Sequence, residues 1–300
     1  MAKVSVVISA FNEEKKIADC LDSVKWADEI VLVNSSSTDK TVEIAKKYTS
    51  KIYTRPNNRV LNVNKNYGFT KATGDWILSL DADERITPEL KKEIYERITH
   101  NSSPINGFWI PRKNIIFGKL IKSEMWWPDY QLRLFKKGSG KFAQKHVHEK
   151  IEIRGETEKL KEPMLHYNYE TVSQFIQKMD RIYTESEVDN ILESGRTLTW
   201  VDAVRMPAAD FVKTYFAQKG YKDGLHGLVL SSLQALYMEI VFAKVWERQG
   251  FKEHEVDFRM LKDEGKSLKR QMRYWFITSF INEAKDPFTR FFLKVRRKLI

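Results

Sequence analysis

Cysteine is almost missing. Cys20 stands alone among 300 residues, which excludes an internal disulfide framework and a multi-cysteine zinc site and suits a reducing cytoplasm. Long apolar runs are missing as well: the best stretch, Leu225 to Met238, contains His226 and is bounded by Asp223 and Glu239, short of the roughly 20 residues that span a bilayer. The expectation is a chain that touches a membrane without crossing it. The opening MAKVSVVISAFNEE has a short, β-branched apolar run followed by acids, so it reads as a first strand and not as a signal peptide. There is no internal repeat, no low-complexity linker and no nucleic-acid motif. Glycines are few, and Gly220, Gly224 and Gly227 are spaced too loosely for a phosphate loop; they read as a sharp turn into a buried helix.

What is present is 42% hydrophobic residues, enough for a real core, and a net charge of +11. The excess is uneven, rising from +1 in the first hundred residues to +3 and then +7 in the next two. A basic carboxyl end suits anionic lipid, nucleic acid or solubility alone. The final segment PFTRFFLKVRRKLI mixes apolar and cationic residues as helices at membrane surfaces do, a helix end packed on the core being the alternative.

Strand-like runs alternate with helical spacing through the first hundred residues: strands at Val4 to Ser9, Glu29 to Val33, Lys51 to Thr54 and Trp76 to Leu80, with helices between them. Such alternation predicts a parallel sheet with polar loops gathered at the strands' carboxyl ends. From Gly107 to Ile153 the texture is aromatic and alternating, which predicts antiparallel strands in a mixed sheet. After His166 it turns helical. The expected division is a sheet domain over 1–170 and a helical region over 171–300.

The acidic cluster Asp81, Asp83 and Glu84 directly follows the buried run Trp76 to Leu80. Two carboxylates one residue apart can reach the same divalent ion, and hard oxygen donors suit Mn²⁺ or Mg²⁺ held together with diphosphate oxygens. An acidic turn capping a helix started by Thr87 and Pro88 is the plain alternative for the triplet taken alone.

The segments VVISAFNEEKKIADCLDSV, EIVLVNSSSTDKTVEIAKKY and NKNYGFTKATGDWILSLDADE, in that order and spacing, resemble the opening of the family 2 glycosyltransferases with the GT-A fold. The later WWPDYQLRLFKK, HVHEKI, LHYNY and QKGYKDGLHG extend the resemblance toward the bacterial lipopolysaccharide-core β-1,4-glucosyltransferase subgroup. The resemblance implies a Rossmann-like, mostly parallel mixed sheet flanked by helices with a helical carboxyl-terminal extension. It also implies inverting transfer of a sugar, glucose by analogy, from a UDP-sugar to a lipid-linked or cell-surface glycan acceptor. The enzyme would be cytoplasmic and peripheral to the inner face of the cell membrane, with a homodimer left open.

Residue by residue, the resemblance places Ala10, Phe11, Asn12 and Glu13 at the base and ribose, where the end of a first strand is a natural nucleotide site. Asn12 also suits a helix cap. Where the family usually has an aspartate, this chain has Asn34, followed by Ser35 and Ser36; an amide both donates and accepts. Asp39 is either a donor contact or a cap for the helix near Thr41. Lys65, Asn66, Asp75, Asp81 and Ala82 complete the implied donor side. Asp81, Asp83 and His166 are the implied metal ligands. An inverting transfer needs a base for the acceptor hydroxyl, and Glu149 of HVHEKI matches its place, with Asp129 as the alternative carboxylate. Trp126, Trp127 and His148 are the acceptor-side candidates. Two rival readings are a sugar-nucleotide nucleotidyltransferase, disfavoured because SAFNEE replaces a glycine-rich basic loop, and a non-catalytic lipid- or glycan-binding protein, disfavoured by the intact D-x-D triplet together with Glu149.

Overall fold

In the computed structural model the described residues are 2–58, 62–99, 104–143 and 150–300. They form two compact units, one of residues 1–120 and 127–168 and the other of 121–126 and 169–300.

The first unit runs β1 (Val4–Ala10), α1 (Ile17–Ser23), β2 (Glu29–Asn34), α2 (Thr41–Ala45), β3 (Ile52–Thr54), α3 (Asn62–Lys71), β4 (Trp76–Asp81), β5 (Glu84–Arg85), α4 (Pro88–Thr99) and β6 (Ile105–Ile116). It continues through β7 (Lys119–Leu120), β8 (Asp129–Lys136), β9 (Gly140–Lys141), β10 (Glu152–Ile153), β11 (Glu156–Lys159) and β12 (Met164–Tyr169). The main sheet has the order β3-β2-β1-β4-β8-β6-β12-β5, with β7 and β11 also on β6, while β9 and β10 pair separately. Strands β3, β2, β1 and β4 are parallel, and β8 runs antiparallel to both β4 and β6. This is the mixed Rossmann-like sheet of the GT-A fold. Its strand order reverses direction at β1, and the crevice beyond the carboxyl ends of β1 and β4 is where such sheets bind ligands.

β1 and β2 are buried along nearly their whole length, which is why they read as Val and Ile runs and not as alternating strands. One face of the sheet packs on Ile17, Cys20 and Leu21 of α1 and Leu90, Ile94 and Ile98 of α4. The other packs on Phe69 of α3, Phe135 and Phe142. Burial pushes the Cys20 thiol's pKa well up, so it stays a neutral core group. Helix α3 approaches closely because Gly68 has no side chain: a Cβ there would lie 2.5 Å from Val7 Cγ1 and 2.9 Å from Val33 Cγ2.

The first helix begins later than the FNEE motif suggests. Asn12 has a positive φ of 54° and α1 opens at Ile17 after Lys16, so Asn12 caps no helix. Its Oδ1 instead accepts from Thr38 N at 2.8 Å and ties the first loop to the second.

The second unit contains α5 (Val172–Lys178), α6 (Thr184–Glu193), α7 (Trp200–Val212), α8 (Leu225–Arg248), α9 (Phe258–Glu283) and α10 (Pro287–Lys298). The glycine-spaced segment is a 3₁₀ turn, Gly220–Asp223, leading into α8. The Asp223 carboxylate accepts from Lys122 N and Ser123 N at 3.0 and 2.8 Å, which holds the segment 121–126 in this unit. Helix α8, at 24 residues, is long and apolar enough to cross a membrane by length and composition. The apolar run counted in the sequence ended at Met238 before Glu239, and the helix carries further apolar residues beyond it in Ile240, Val241 and Phe242. It packs Val241 and Val245 against Val188 and Ile191 of α6.

At the amino end of the parallel strands sits a buried carboxylate. Glu29 accepts from Thr73 N at 2.7 Å and Thr73 Oγ1 at 3.0 Å, and also pairs with Ser5 Oγ and Lys51 Nζ. Burial opposes its ionisation, but Lys51 and the hydrogen bonds from Ser5 and Thr73 pull its pKa down to about 2. A depressed carboxyl pKa stabilises the fold above its ordinary value and loses that contribution as pH falls. Glu29→Gln should therefore cost about 2–3 kcal/mol near neutral pH. In urea titrations the gap between variant and wild type should close as pH drops from about 4.5 toward 2.

Candidate active site

The turn Asp81-Ala82-Asp83-Glu84 leaves the carboxyl end of β4, where Ser9 of β1 lies in register with Asp81. Asp81 receives Lys65 Nζ on Oδ1 at 2.5 Å and Arg133 Nη2 on Oδ2 at 2.6 Å. Lys65 reaches it from α3, one helical turn before Gly68, so the close approach that glycine permits also delivers the cation. Burial works against the Asp81 charge, but Arg133 and Lys65 hold its carboxyl well below the usual range.

Glu84 is fully buried. Its Oε1 pairs with Arg133 at 2.6 Å and with Arg112 at 3.3 Å, and its Oε2 accepts the Asp81 backbone N–H at 2.9 Å. Despite burial, Asp81 and Glu84 keep Arg133 firmly charged, and Glu84 and Asp129 do the same for Arg112. These arginines come from antiparallel strands in which every second residue faces one side: Arg112 and Asn114 on β6, Asp129, Gln131 and Arg133 on β8. Arg112 and Asp129 are register partners.

Asp129 accepts Arg112 Nε and Nη2 on Oδ2 at 2.8 and 2.6 Å, Asn114 Nδ2 on the same oxygen at 3.4 Å, and Gln131 Nε2 on Oδ1 at 2.7 Å. Burial disfavours its charge, but Arg112 outweighs this and lowers the pKa. Both oxygens are engaged, and the Arg112 guanidinium favours the charged form of this alternative base.

The same carboxylate sets the orientation of its neighbour. A carboxylate only accepts, so Asn114 must turn its amide nitrogen toward Asp129 and its Oδ1 toward His166. His166 Nδ1 lies 2.6 Å from that oxygen and donates to it, which turns Nε2 toward Asp83 Oδ2 at 3.5 Å. Backbone pairing fixes the two: His166 is in register with Glu84, and Tyr167 N donates to Asp83 O at 2.9 Å. A ring nitrogen facing a carboxylate oxygen suits a shared cation, and a histidine held through its other nitrogen is the usual arrangement at a metal. Among the described residues no three His, Cys, Asp or Glu side chains form a ready-made metal cage. Asp83 and His166 lie side by side, and Asp81, the other expected ligand, is engaged by Lys65 and Arg133.

The remaining sequence candidates divide. Ala10 ends β1, and its carbonyl accepts Ser35 N at 2.8 Å, joining the ends of β1 and β2. Phe11 beside it is exposed. Glu13 N donates to Thr41 Oγ1 at 2.8 Å. Asn34 is used internally, with Oδ1 accepting Ser37 N at 2.9 Å and Nδ2 donating to Thr54 Oγ1 at 3.1 Å. Ser36 has φ 59° and donates to Arg55 O at 2.8 Å. Asp39 accepts from Thr41 N and Glu14 N, each at 3.0 Å, which makes it a cap for α2 that also ties down the first loop. Asn66 clasps the Phe142 peptide through both amide atoms, each at 2.9 Å. Ala82 is buried, and its carbonyl accepts from Arg85 Nη1 at 2.7 Å. Asp75 is misplaced by the sequence reading. It precedes β4 and accepts Lys3 N at 2.8 Å, so it sits at the amino end of the parallel strands, about 20 Å from Asp81 by strand length. Trp127 lies in the sheet unit with Lys113 Nζ 5.8 Å from its ring centre, while Trp126 belongs to the helical unit. Glu149 and His148 lie outside the described residues.

Residues 5–152 match the family model described as Glycosyl transferase family 2. The chain carries a family 2 glycosyltransferase domain. Asp81, Asp83, Glu84, Arg112, Asp129 and Arg133 all fall within the match, and His166 follows it. Among curated proteins this glycosyltransferase is 26% identical over 256 residues to the lipopolysaccharide core biosynthesis glycosyltransferase LpsC of Rhizobium meliloti, covering 83% of this chain and 94% of that one. It is 27% identical over 259 residues to an uncharacterized glycosyltransferase of Rickettsia typhi, covering 82% and 88%. Among solved structures it resembles S. aureus TarS 1-349 with 16% identity and a TM-score of 0.44, over 85% of this chain and 94% of that one; at that score the likeness carries no argument.

Arg133→Leu should destabilise the fold by about 3–5 kcal/mol in chemical denaturation, because it leaves the buried Glu84 and Asp81 carboxylates short of a cation. A loss under 1 kcal/mol would show that Arg112 and Lys65 suffice.

Proposed function

We propose that this glycosyltransferase is an inverting hexosyltransferase that moves a sugar, glucose by analogy with the subgroup it resembles, from a UDP-sugar to a lipid-linked or cell-surface glycan acceptor. It would work in the cytoplasm at the inner face of the membrane. The name of the R. meliloti relative supports a glycan acceptor of the lipopolysaccharide-core kind. The observation that carries the catalytic reading is the pairing of Asp83 with His166, whose ring is turned by Asn114 so that its Nε2 faces the carboxylate.

Mn²⁺ or Mg²⁺ fits there, bound by these two side chains with the remaining positions left to diphosphate oxygens and water, and would offset the charge on the departing UDP. The chain's own groups do the rest. Phe11, exposed at the end of β1, presents a ring face to the uracil, and the loop of Asn12 and Glu13 follows it toward the ribose. Asp81 holds Lys65 near the crevice, where its ammonium can also reach a diphosphate oxygen. Glu149 takes the proton of the acceptor hydroxyl as its oxygen attacks the anomeric carbon opposite the leaving group. Trp127, Trp126 and His148 are assigned to the acceptor side.

Purified protein should turn over a UDP-sugar only with Mn²⁺ or Mg²⁺, and Asp83→Ala should abolish that turnover. Asn114→Ala, which frees the His166 ring, should weaken metal binding by about 10–100-fold in calorimetric titration. Unchanged metal affinity in both variants would dismiss the Asp83–His166 site. Glu149→Gln should keep its affinity for the UDP-sugar and lose turnover; loss of donor binding would make Glu149 structural.

A further inference from the structure

Helix α10 buries no residue, yet its surface is sorted. Phe288, Phe292, Val295 and Leu299 recur at intervals of four, three and four, one face of a helix, with Phe291 beside them. Phe288 is 80% exposed, Phe292 62%, Phe291 68% and Leu299 82%. The helix is held by its opposite side: Arg297 donates to Thr278 Oγ1 of α9 at 3.2 Å and lies 5.2 Å from the Tyr274 ring centre. Leu293, one turn earlier on that side, is half-buried. The apolar stripe therefore points away from α9, the helix on which α10 packs. Asp286 fixes where the helix starts, its carboxylate accepting Thr289 N at 2.6 Å, with Pro287 in the first turn.

Charge flanks the stripe. Lys294 and Lys298, four residues apart, line one edge and Arg296 the other, and from Pro287 to Ile300 there is no acidic residue. A second copy seated on this stripe would bring cationic edges against cationic edges, which costs free energy. Anionic lipid headgroups complement both edges while the apolar stripe enters the acyl boundary, and the long basic side chains reach back to the headgroups.

We propose that α10 is an interfacial helix that lies flat in the surface of an anionic bilayer, sinking Phe288, Phe291, Phe292, Val295 and Leu299 between headgroups bound by Lys294, Arg296 and Lys298. This rests on the reading of a membrane-surface enzyme and names the element and the lipid charge. The test is co-sedimentation of the full chain with vesicles of equal parts phosphatidylglycerol and phosphatidylcholine, and with phosphatidylcholine alone. The wild type should bind the anionic vesicles at least about tenfold more tightly. F288S/F292S and K294E/K298E should each lose about tenfold, with unchanged circular dichroism and unchanged hydrolysis of soluble UDP-sugar. Equal binding by wild type and both variants would overturn the assignment of α10 and leave the membrane-surface reading intact. No vesicle binding by the wild type would overturn both. A dimer in velocity sedimentation that F288S/F292S breaks, without vesicle binding, would make the stripe an interface between copies and overturn the proposal.

Discussion

The buried carboxylate of Glu84 is the constraint on which the crevice is built. A carboxylate removed from water is costly unless cations and hydrogen bonds replace its hydration, and here Arg133, Arg112 and the Asp81 amide supply them. Meeting that need draws β6 and β8, which bring the arginines, to the turn at the end of β4, which brings the acid. Once Arg133 is there its second interaction falls on Asp81, and once Arg112 is there its fork closes on Asp129. One buried charge thus fixes the places of four other ionic side chains.

Asp81 and Asp83, two acids one residue apart, face different partners. Asp81 is matched by Lys65 and Arg133. Asp83 faces His166, whose ring is set two steps away, because the grip of Arg112 on Asp129 orients Asn114 and the Asn114 amide oxygen holds His166 Nδ1.

The parallel half of the sheet was legible because central strands buried on both faces leave an unambiguous trace: Val4 to Ser9, Glu29 to Val33 and Trp76 to Leu80 are near-continuous apolar runs that end in polar loops. That Asp83 and His166 lie side by side was foreshadowed by motif order. Arg112, Asn114 and Arg133 were not, since polar residues at every second position of an antiparallel strand look the same whether that face meets water or a buried acid. Only the register of β6 on β8 shows that Arg112 meets Asp129. A hint was available in YQLRLFK, where Gln131 and Arg133 alternate with Tyr130, Leu132 and Leu134. Asp75 failed for the converse reason: closeness in sequence to β4 says nothing of which end of the strand a residue occupies.

The two ends of the parallel strands show how the same device yields structure at one end and chemistry at the other. At the amino end, Glu29 is met by a single lysine and by hydroxyl and amide donors from Ser5 and Thr73, and its one charge is balanced by one cation. Such a closed set gains nothing by binding an ion. At the carboxyl end, where the strand order reverses and a crevice forms, the buried acids share their cations instead: Arg133 bridges Glu84 and Asp81, and Arg112 bridges Glu84 and Asp129. A fold can bury carboxylates at either end of its sheet, but at this end their cations link several strands around the crevice in which such sheets bind ligands.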